Sequence, residues 1–304
     1  MIDYDVIIIG CGPAGMNACL YASRSNLKTL VIEKNCPGGK VIKANTIENW
    51  LGIDKISGVD LSLNMFKHSF SFGGVYEQGN VLDIIDHDEY KEVILKDKTY
   101  KCHAVIIAIG TSEKKIGIPG EEKFYGRGVS YCAVCDAALY KNKDMVVVGG
   151  SVHAIAETVY LSKYARKIYF VCATESFAEK EEFNQIRDKS NIDVIPGYSP
   201  IKILGKEVVN GIVLKKDNEE KVLETSVVFP LLGDNPDTKF IERLNIVNDK
   251  NYIVVNDKKE TKIPGIYAVG DCTNTPLKQI VTASSDGALA AIEAYKYIKN
   301  KKFK

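Results

Sequence analysis

The chain has 304 residues, 45% hydrophobic and 26% charged, a balance typical of soluble globular proteins and long enough for two domains. Its 40 basic and 39 acidic side chains leave a net charge of +1, without the basic excess of nucleic-acid binders. No apolar run approaches the ~20 residues of a membrane span, and the opening Met1-Ile2-Asp3-Tyr4-Asp5 has neither a basic n-region nor an apolar h-region, so a cytoplasmic location is expected.

Asp5-Val6-Ile7-Ile8-Ile9 is a short β-branched run of the kind that forms a buried parallel strand. The turn Gly10-Cys11-Gly12-Pro13-Ala14-Gly15 follows, then a helical stretch from Met16 to Ser25. A second strand, Thr29-Leu30-Val31-Ile32, ends in Glu33. This is a dinucleotide fingerprint in its required context. Gly10 permits the tight turn, Gly12 lets backbone approach a pyrophosphate, and Gly15 lets helix and strand pack closely. The helix N-terminus offers N–H groups to the phosphates, and Glu33 stands where an acid takes a ribose hydroxyl.

The middle of the chain carries a strand at Ala104–Ile109 that ends at Gly110, and then the segment Tyr131-Cys132-Ala133-Val134-Cys135-Asp136. Two cysteines at this spacing can close a small disulfide ring and exchange it with a partner disulfide, with Asp136 placed to move the proton. Half of a zinc site or two core thiols are the alternatives. Zinc needs four ligands, and His68, His87, His103 and His153 are scattered, so no metal is expected. The other cysteines, Cys11, Cys19, Cys36, Cys102, Cys172 and Cys272, read mostly as buried thiols.

A second nucleotide-type unit opens with Met145–Val148, continues through Gly149-Gly150-Ser151-Val152-His153-Ala154 and a helix over 155–164, and ends in the strand Lys167–Val171. Its fingerprint is damaged, with Ser151 in place of the second glycine and Cys172-Ala173-Thr174 after the strand. The only arginines are Arg24, Arg127, Arg166, Arg187 and Arg243, so none stands at the end of that strand to hold a 2′-phosphate. The tail has a strand from Gly265 into Gly270-Asp271, a long helix over 279–298, and a basic end at Lys299–Lys304. The expected architecture is α/β with two Rossmann-like domains. Residues 1–112 and 243–304 form one, and 113–242 are inserted into it.

Over essentially its whole length the chain resembles the low-molecular-weight thioredoxin reductases. The resemblance rests on the glycine turn at 10–15, Pro37-Gly38-Gly39, Glu48-Asn49-Trp50, Ala108-Ile109-Gly110-Thr111, Cys132-Ala133-Val134-Cys135-Asp136, Gly270-Asp271, and Lys278-Gln279 before Thr282-Ala283. It implies FAD, a homodimer, and thioredoxin as the reduced partner. It also implies that Cys135 faces the flavin, Cys132 attacks thioredoxin and Asp136 donates a proton. FAD would be held by Gly10, Gly12, Pro13, Ala14, Gly15, Glu33, Gly39, Lys40, Asn49, Gly110, Asp271, Lys278 and Gln279. Lys40 and Lys278 stand where the family has Gln and Arg. The family's intact NADPH turn and its His-Arg-Arg are both replaced here. That pattern resembles the ferredoxin-dependent flavin thioredoxin reductases, which implies ferredoxin as electron donor. NADPH or NADH, reduced deazaflavin, a second FAD in the altered turn, and a flavin-bound sensor without turnover are the alternatives.

Overall fold

The computed structural model describes residues 1–44, 46–175 and 181–302. They divide into two compact units, Met1–Ser112 with Asn235–Lys304, and Glu113–Asp234. In chain order the first unit supplies β1 (Tyr4–Ile9), α1 (Pro13–Arg24), β2 (Thr29–Glu33), α2 (Gly58–Ser69), β3 (Val75–Gln78), β4 (Asp83–Asp86), β5 (Lys91–Ile94) and β6 (Thr99–Ile107). The chain crosses at β7 (Ser112–Glu113). The second unit then supplies α3 (Ala133–Asp136), β8 (Asp144–Val148), α4 (Val152–Leu161), β9 (Lys167–Cys172), α5 (Asn184–Arg187), β10 (Ile192–Pro196), β11 (Ser199–Gly205), β12 (Val209–Lys216), β13 (Glu219–Glu224) and β14 (Val227–Pro230). The return crossing is β15 (Asp234–Asn235), and β16 (Ile266–Ala268) and α6 (Ile280–Lys302) complete the first unit.

The first unit is built on a seven-stranded sheet of order β3-β2-β1-β6-β5-β4. Strands β1, β2, β3, β6 and β16 run parallel, while β4, β5 and β6 form an antiparallel meander. One edge of β6 is used twice. Its first half pairs with β5 through Lys91–Ile94 and its last residues pair with β16 through Val105–Ile107. The period-two alternation of a strand divides β1 between two cores. Val6 and Ile8 pack with Ala18, Ala290, Ala291 and Ala294 of the helices. Ile7 and Ile9 pack with Ile84, Val93, Ile241 and Ile253 on the other face.

Helix α1 starts at Pro13, three residues before the expected Met16, because proline at the first helical position has its φ preset and needs no N–H partner. It ends where Asn26 takes a left-handed backbone (φ 58°). The expected boundary at residue 242 is moved to Asp234–Asn235. The physical reason is apolar burial, because Ile241, Leu244 and Ile246 belong to the first unit's core. The basic end is not a loose tail over its described part. Helix α6 continues to Lys302, and Lys301 Nζ donates to the carbonyls of Asp88 (2.7 Å) and Glu89 (2.8 Å). Phe303 and Lys304 lie outside the described residues.

The second unit has a four-stranded parallel sheet, β10-β9-β8-β14, and a three-stranded antiparallel sheet, β11-β12-β13. Met145 and Val147 of β8 pack with Ala154, Ile155 and Leu161 of α4. Val146 and Val148 pack instead with Ile203, Ile212 and Leu214 of the antiparallel sheet. The antiparallel sheet carries no motif that spacing would single out. Among the described residues, no helix is long and apolar enough to cross a membrane.

Close helix packing in the first unit yields a test. Helices α1 and α6 meet at Gly287, where a β-carbon would lie 2.1 Å from the Ala14 carbonyl oxygen. Alanine normally gains about 1 kcal/mol over glycine inside a helix. Here overpacking against backbone reverses the sign, so Gly287→Ala should lose about 1–3 kcal/mol of stability. Urea denaturation of the variant checks this, and an unchanged or higher midpoint would contradict it.

Candidate active site

The first candidate region is the turn after β1. Gly10 has φ +105°, and a β-carbon there would lie 2.4 Å from the Ala108 carbonyl oxygen. At Gly15 it would lie 1.9 Å from the Gly10 carbonyl oxygen, so both positions are closed to side chains. Gly12 differs from both, since a β-carbon there would meet only the Gly39 Cα, at 4.0 Å. Gly12 is the N-cap of α1, and no side chain caps that helix. Bare backbone from Gly12 and Gly39 thus borders an open approach to the first N–H groups of α1, beside Pro13 and Ala14. A helix start of this kind favours an anion such as a pyrophosphate.

Glu33 ends β2 and is buried. Its Oε2 accepts the Cys11 N–H (2.7 Å) and its Oε1 accepts the Asn35 N–H (2.8 Å). Each oxygen keeps a second lone pair for a ribose hydroxyl, so the carboxylate can pin two loops and still meet a ligand. Gly38 N–H donates to the Cys11 carbonyl (2.7 Å), which draws the second glycine loop onto the first.

Strands β1, β2, β6 and β16 all end on one edge of the sheet, because Ile9 is in register with both Ile32 and Ile107, and Ile107 with Ala268. The residues that follow these strands therefore share the edge where ligands of open α/β sheets bind. Lys40 Nζ donates to Thr111 Oγ1 (2.8 Å) and lies 4.0 Å from Asp271 Oδ2. Gly110, with φ +61°, precedes Thr111 and faces open space. Asn49 Nδ2 donates to Gln279 Oε1 (3.0 Å), which joins two residues 230 positions apart. Lys278 is half-buried; its Nζ donates to Tyr252 OH (2.8 Å) and sits 4.4 Å from that ring's centre. The glycine cradle, the uncapped helix and the carboxylates of Glu33 and Asp271 fit a flavin dinucleotide: N–H groups for its phosphates and acceptors for its hydroxyls.

The second unit carries the other candidate region. Cys132 and Cys135 form a disulfide with Cα atoms 5.3 Å apart. Cys132 is also the N-cap of α3, and its Sγ accepts the Cys135 N–H at 3.2 Å. The pair is therefore closed as a disulfide at a helix start rather than arranged as half a zinc site. The other cysteines are free thiols, all buried except Cys36. Burial pushes Cys19 up to about 11 and Cys272 up to about 12, which holds them as unreactive thiols. Asp136 is half-buried, and burial holds its carboxyl above the ordinary value, with an opposing hydrogen bond from Ser130. A carboxyl biased toward its protonated form suits a proton donor.

The altered turn of the second unit is the last candidate. Ser151 is the N-cap of α4, and its hydroxyl accepts the Ala154 N–H at 3.1 Å. That bond takes up one of the helix-start donors that a pyrophosphate would use. His153 Nε2 lies 3.3 Å from Glu157 Oε1 along the same helix. Beyond β9, Glu175 pairs with Lys216, and Arg166 pairs with Asp144 across the strand starts (2.6 and 2.8 Å), at the opposite edge of the sheet.

Sequence spacing missed several residues around these regions. Tyr252 meets Lys278 across 26 positions, and Glu121 meets Tyr131 OH across 10 loop positions. No helical or strand period connects such pairs. In the sequence Glu121 stands beside Glu122 and Lys123, so it reads like any surface acid.

Residues 4–287 match the family model of the pyridine nucleotide-disulphide oxidoreductases. The thioredoxin reductase of Bacillus subtilis (strain 168) is 44% identical over 300 residues, covering 97% of this chain and 95% of that protein. The crystal structure of thioredoxin reductase from Streptococcus pyogenes MGAS5005 is 36% identical and superposes with a TM-score of 0.95, covering 98% of each chain. A ferredoxin-flavin thioredoxin reductase from Clostridium acetobutylicum is 31% identical, with a TM-score of 0.56 and 99% of each chain covered.

Asp136 allows a pH test. Its folded carboxyl binds the proton more tightly than the ordinary value of 3.8, so its favourable contribution is full below that value and lost as pH rises through the raised one. Asp136→Asn should therefore be more stable than the parent at neutral pH, and the gap should close toward about pH 4. Denaturation at both pH values measures the gap; a gap that widens toward acid would contradict the burial.

Proposed function

The chain belongs to the pyridine nucleotide-disulphide oxidoreductase family, and from that premise we propose that it reduces thioredoxin through Cys132–Cys135 with electrons that enter at its FAD from reduced ferredoxin. The FAD and the thioredoxin-reducing activity follow from the family and its thioredoxin reductase relatives. When bound, FAD supplies two electrons to a disulfide and can accept them singly or in pairs.

The protein's own residues divide the remaining work. In this reading the first turn of α1, with Gly10, Gly12, Pro13, Ala14 and Gly15, holds the pyrophosphate. Glu33 meets a ribose, while Gly39, Lys40, Asn49, Gly110, Asp271, Lys278 and Gln279 border the rest of the cofactor. Cys135 takes the role facing the flavin. The Cys132 thiolate attacks the thioredoxin disulfide and Cys135 then attacks Cys132 Sγ, which re-forms the pair and releases dithiol thioredoxin. Asp136 delivers a proton to the leaving thiolate. Two reduced ferredoxins and two protons balance each disulfide reduced. Like the low-molecular-weight class it resembles, the protein is proposed to be a homodimer.

The donor assignment rests on one observation, the hydrogen bond from Ala154 N–H to Ser151 Oγ. A nicotinamide donor depends on binding energy from its remote phosphates to place the reacting ring. In the second unit the helix start is capped from within and the strand end presents Cys172-Ala173-Thr174. A one-electron protein donor needs none of those contacts. The similarity to the Clostridium acetobutylicum ferredoxin-flavin enzyme supports the same reading. Lys40 and Lys278 are half-buried and engaged with Thr111 and Tyr252, so they add positive field near the flavin edge rather than loose docking groups.

The test is anaerobic turnover with oxidised thioredoxin. Reduced ferredoxin should sustain thiol production, at a rate that falls with ionic strength as salt screens an acidic partner. NADPH and NADH should leave the flavin oxidised in stopped-flow spectra. Rapid, complete bleaching by NADPH would return the protein to nicotinamide-dependent chemistry.

A further inference from the structure

The approach to the disulfide is fixed by a buried carboxylate. Glu121 is 1% exposed. Its Oε1 accepts the Ile116 N–H (2.9 Å) and the Tyr131 hydroxyl (2.8 Å), and its Oε2 accepts the Gly117 N–H (2.7 Å). One side chain thus binds the opening turn of the second unit, where Gly117 has φ +83°, to the residue immediately before Cys132. The anchoring continues on both sides of Tyr131. Val129 bridges to Val228 of β14, Ser130 N–H donates to the Val228 carbonyl (3.1 Å), and Ser130 Oγ accepts the Cys132 N–H (3.2 Å). The Tyr131 ring packs beside Tyr125, with centroids 5.5 Å apart.

We propose that Glu121 and Tyr131 are positioning residues for the redox pair: their hydrogen bond holds the Cys132 backbone in the geometry that closes the disulfide. The bond matters most when the pair is open. In the dithiol, the Sγ–Sγ bond no longer restrains the loop, and the hydrogen bonds on either side of Cys132, that of Tyr131 to Glu121 among them, keep its sulfur within reach of the Cys135 thiolate. When Cys132 Sγ is joined to a partner sulfur, the Cys135 thiolate attacks it. One S–S bond forms and one breaks, and the partner leaves as a thiolate that takes up a proton. The rate and equilibrium of that closure follow the effective concentration of one sulfur at the other. A charge-assisted bond inside a buried network is a strong restraint on that distance. Burial and the Glu121 hydrogen bond both push the Tyr131 phenol up, so it remains a donor across the working pH range.

The role of the pair in thioredoxin reduction rests on the function proposed above, but its test does not. Holoenzyme is equilibrated anaerobically in glutathione redox buffers, and the Cys132–Cys135 state is read by alkylation and mass spectrometry. Tyr131→Phe removes the hydroxyl and keeps the ring. It should shift the equilibrium about tenfold toward the dithiol, a potential about 30 mV higher. Glu121→Gln keeps an oxygen for Tyr131 and Ile116 and should shift it less, in the same direction. FAD content and melting temperature report general damage separately. A Tyr131→Phe equilibrium within about twofold of the parent, a change of under 10 mV, would overturn the proposal. A second measurement needs no variant. In the parent, the Ile116 and Gly117 amides should stay protected from hydrogen exchange in both redox states, and loss of protection on reduction would overturn the clamp equally. Absence of thioredoxin turnover in the parent would count against the function while leaving both measurements intact.

Discussion

The first turn of a helix carries N–H groups that the helix itself cannot satisfy, and what meets them decides what each unit of this protein can bind. At α1 the N-cap is Gly12, with no side chain to offer and bare backbone opposite at Gly39. At α4 the N-cap is Ser151, whose hydroxyl takes the Ala154 N–H. Both helices follow a parallel strand and a glycine turn, and both present a positive dipole end. One is left open for a phosphate and the other is already partly satisfied. The same supersecondary unit therefore presents an open helix start in one place and a capped one in the other.

Much of the first unit preserves that opening. Gly10 and Gly15 admit no β-carbon, so the turn can only take this path. Glu33 holds Cys11 and Asn35 by their N–H groups, and Gly38 bonds back to Cys11. Helix α6 presses on α1 at Gly287, against the Ala14 and Ala18 backbone. Parallel register then brings Gly39, Gly110 and Asp271 to the same edge. In the second unit, the disulfide lies at α3, and Ala133 of that helix and Ala137 just after it share a core with Ala154 and Ile155. The altered turn thus has a structural use of its own.

The chemistry was largely legible in the sequence because it depends on short-range spacing. A glycine turn between a β-branched strand and a helix, and two cysteines three apart, are local patterns with local causes. Pro13 moved the start of α1 because proline's preference for the first helical position outweighs the apolar periodicity that begins at Met16. The return crossing was misplaced because residues 239–244 form a 3-10 turn, with no period to show that Ile241 and Leu244 belong to the first core. Lys278 was expected to hold the cofactor, and its ammonium also sits over the Tyr252 ring, a partner that only tertiary packing supplies. Glu121 and Tyr131 were invisible for the same reason. Loop-to-loop hydrogen bonds follow no repeat, and a buried carboxylate looks like any surface acid until its partners are known.

The contrast between the two helix starts can be measured directly as binding. Purified holoenzyme is assayed for flavin by absorbance and then titrated with NADP+ in a calorimeter. One FAD per chain and no saturable heat up to about 1 mM NADP+ is the expected result. A saturable NADP+ site with Kd of about 10 μM or tighter would show that the α4 turn still binds a dinucleotide, and would contradict the division of labour between α1 and α4.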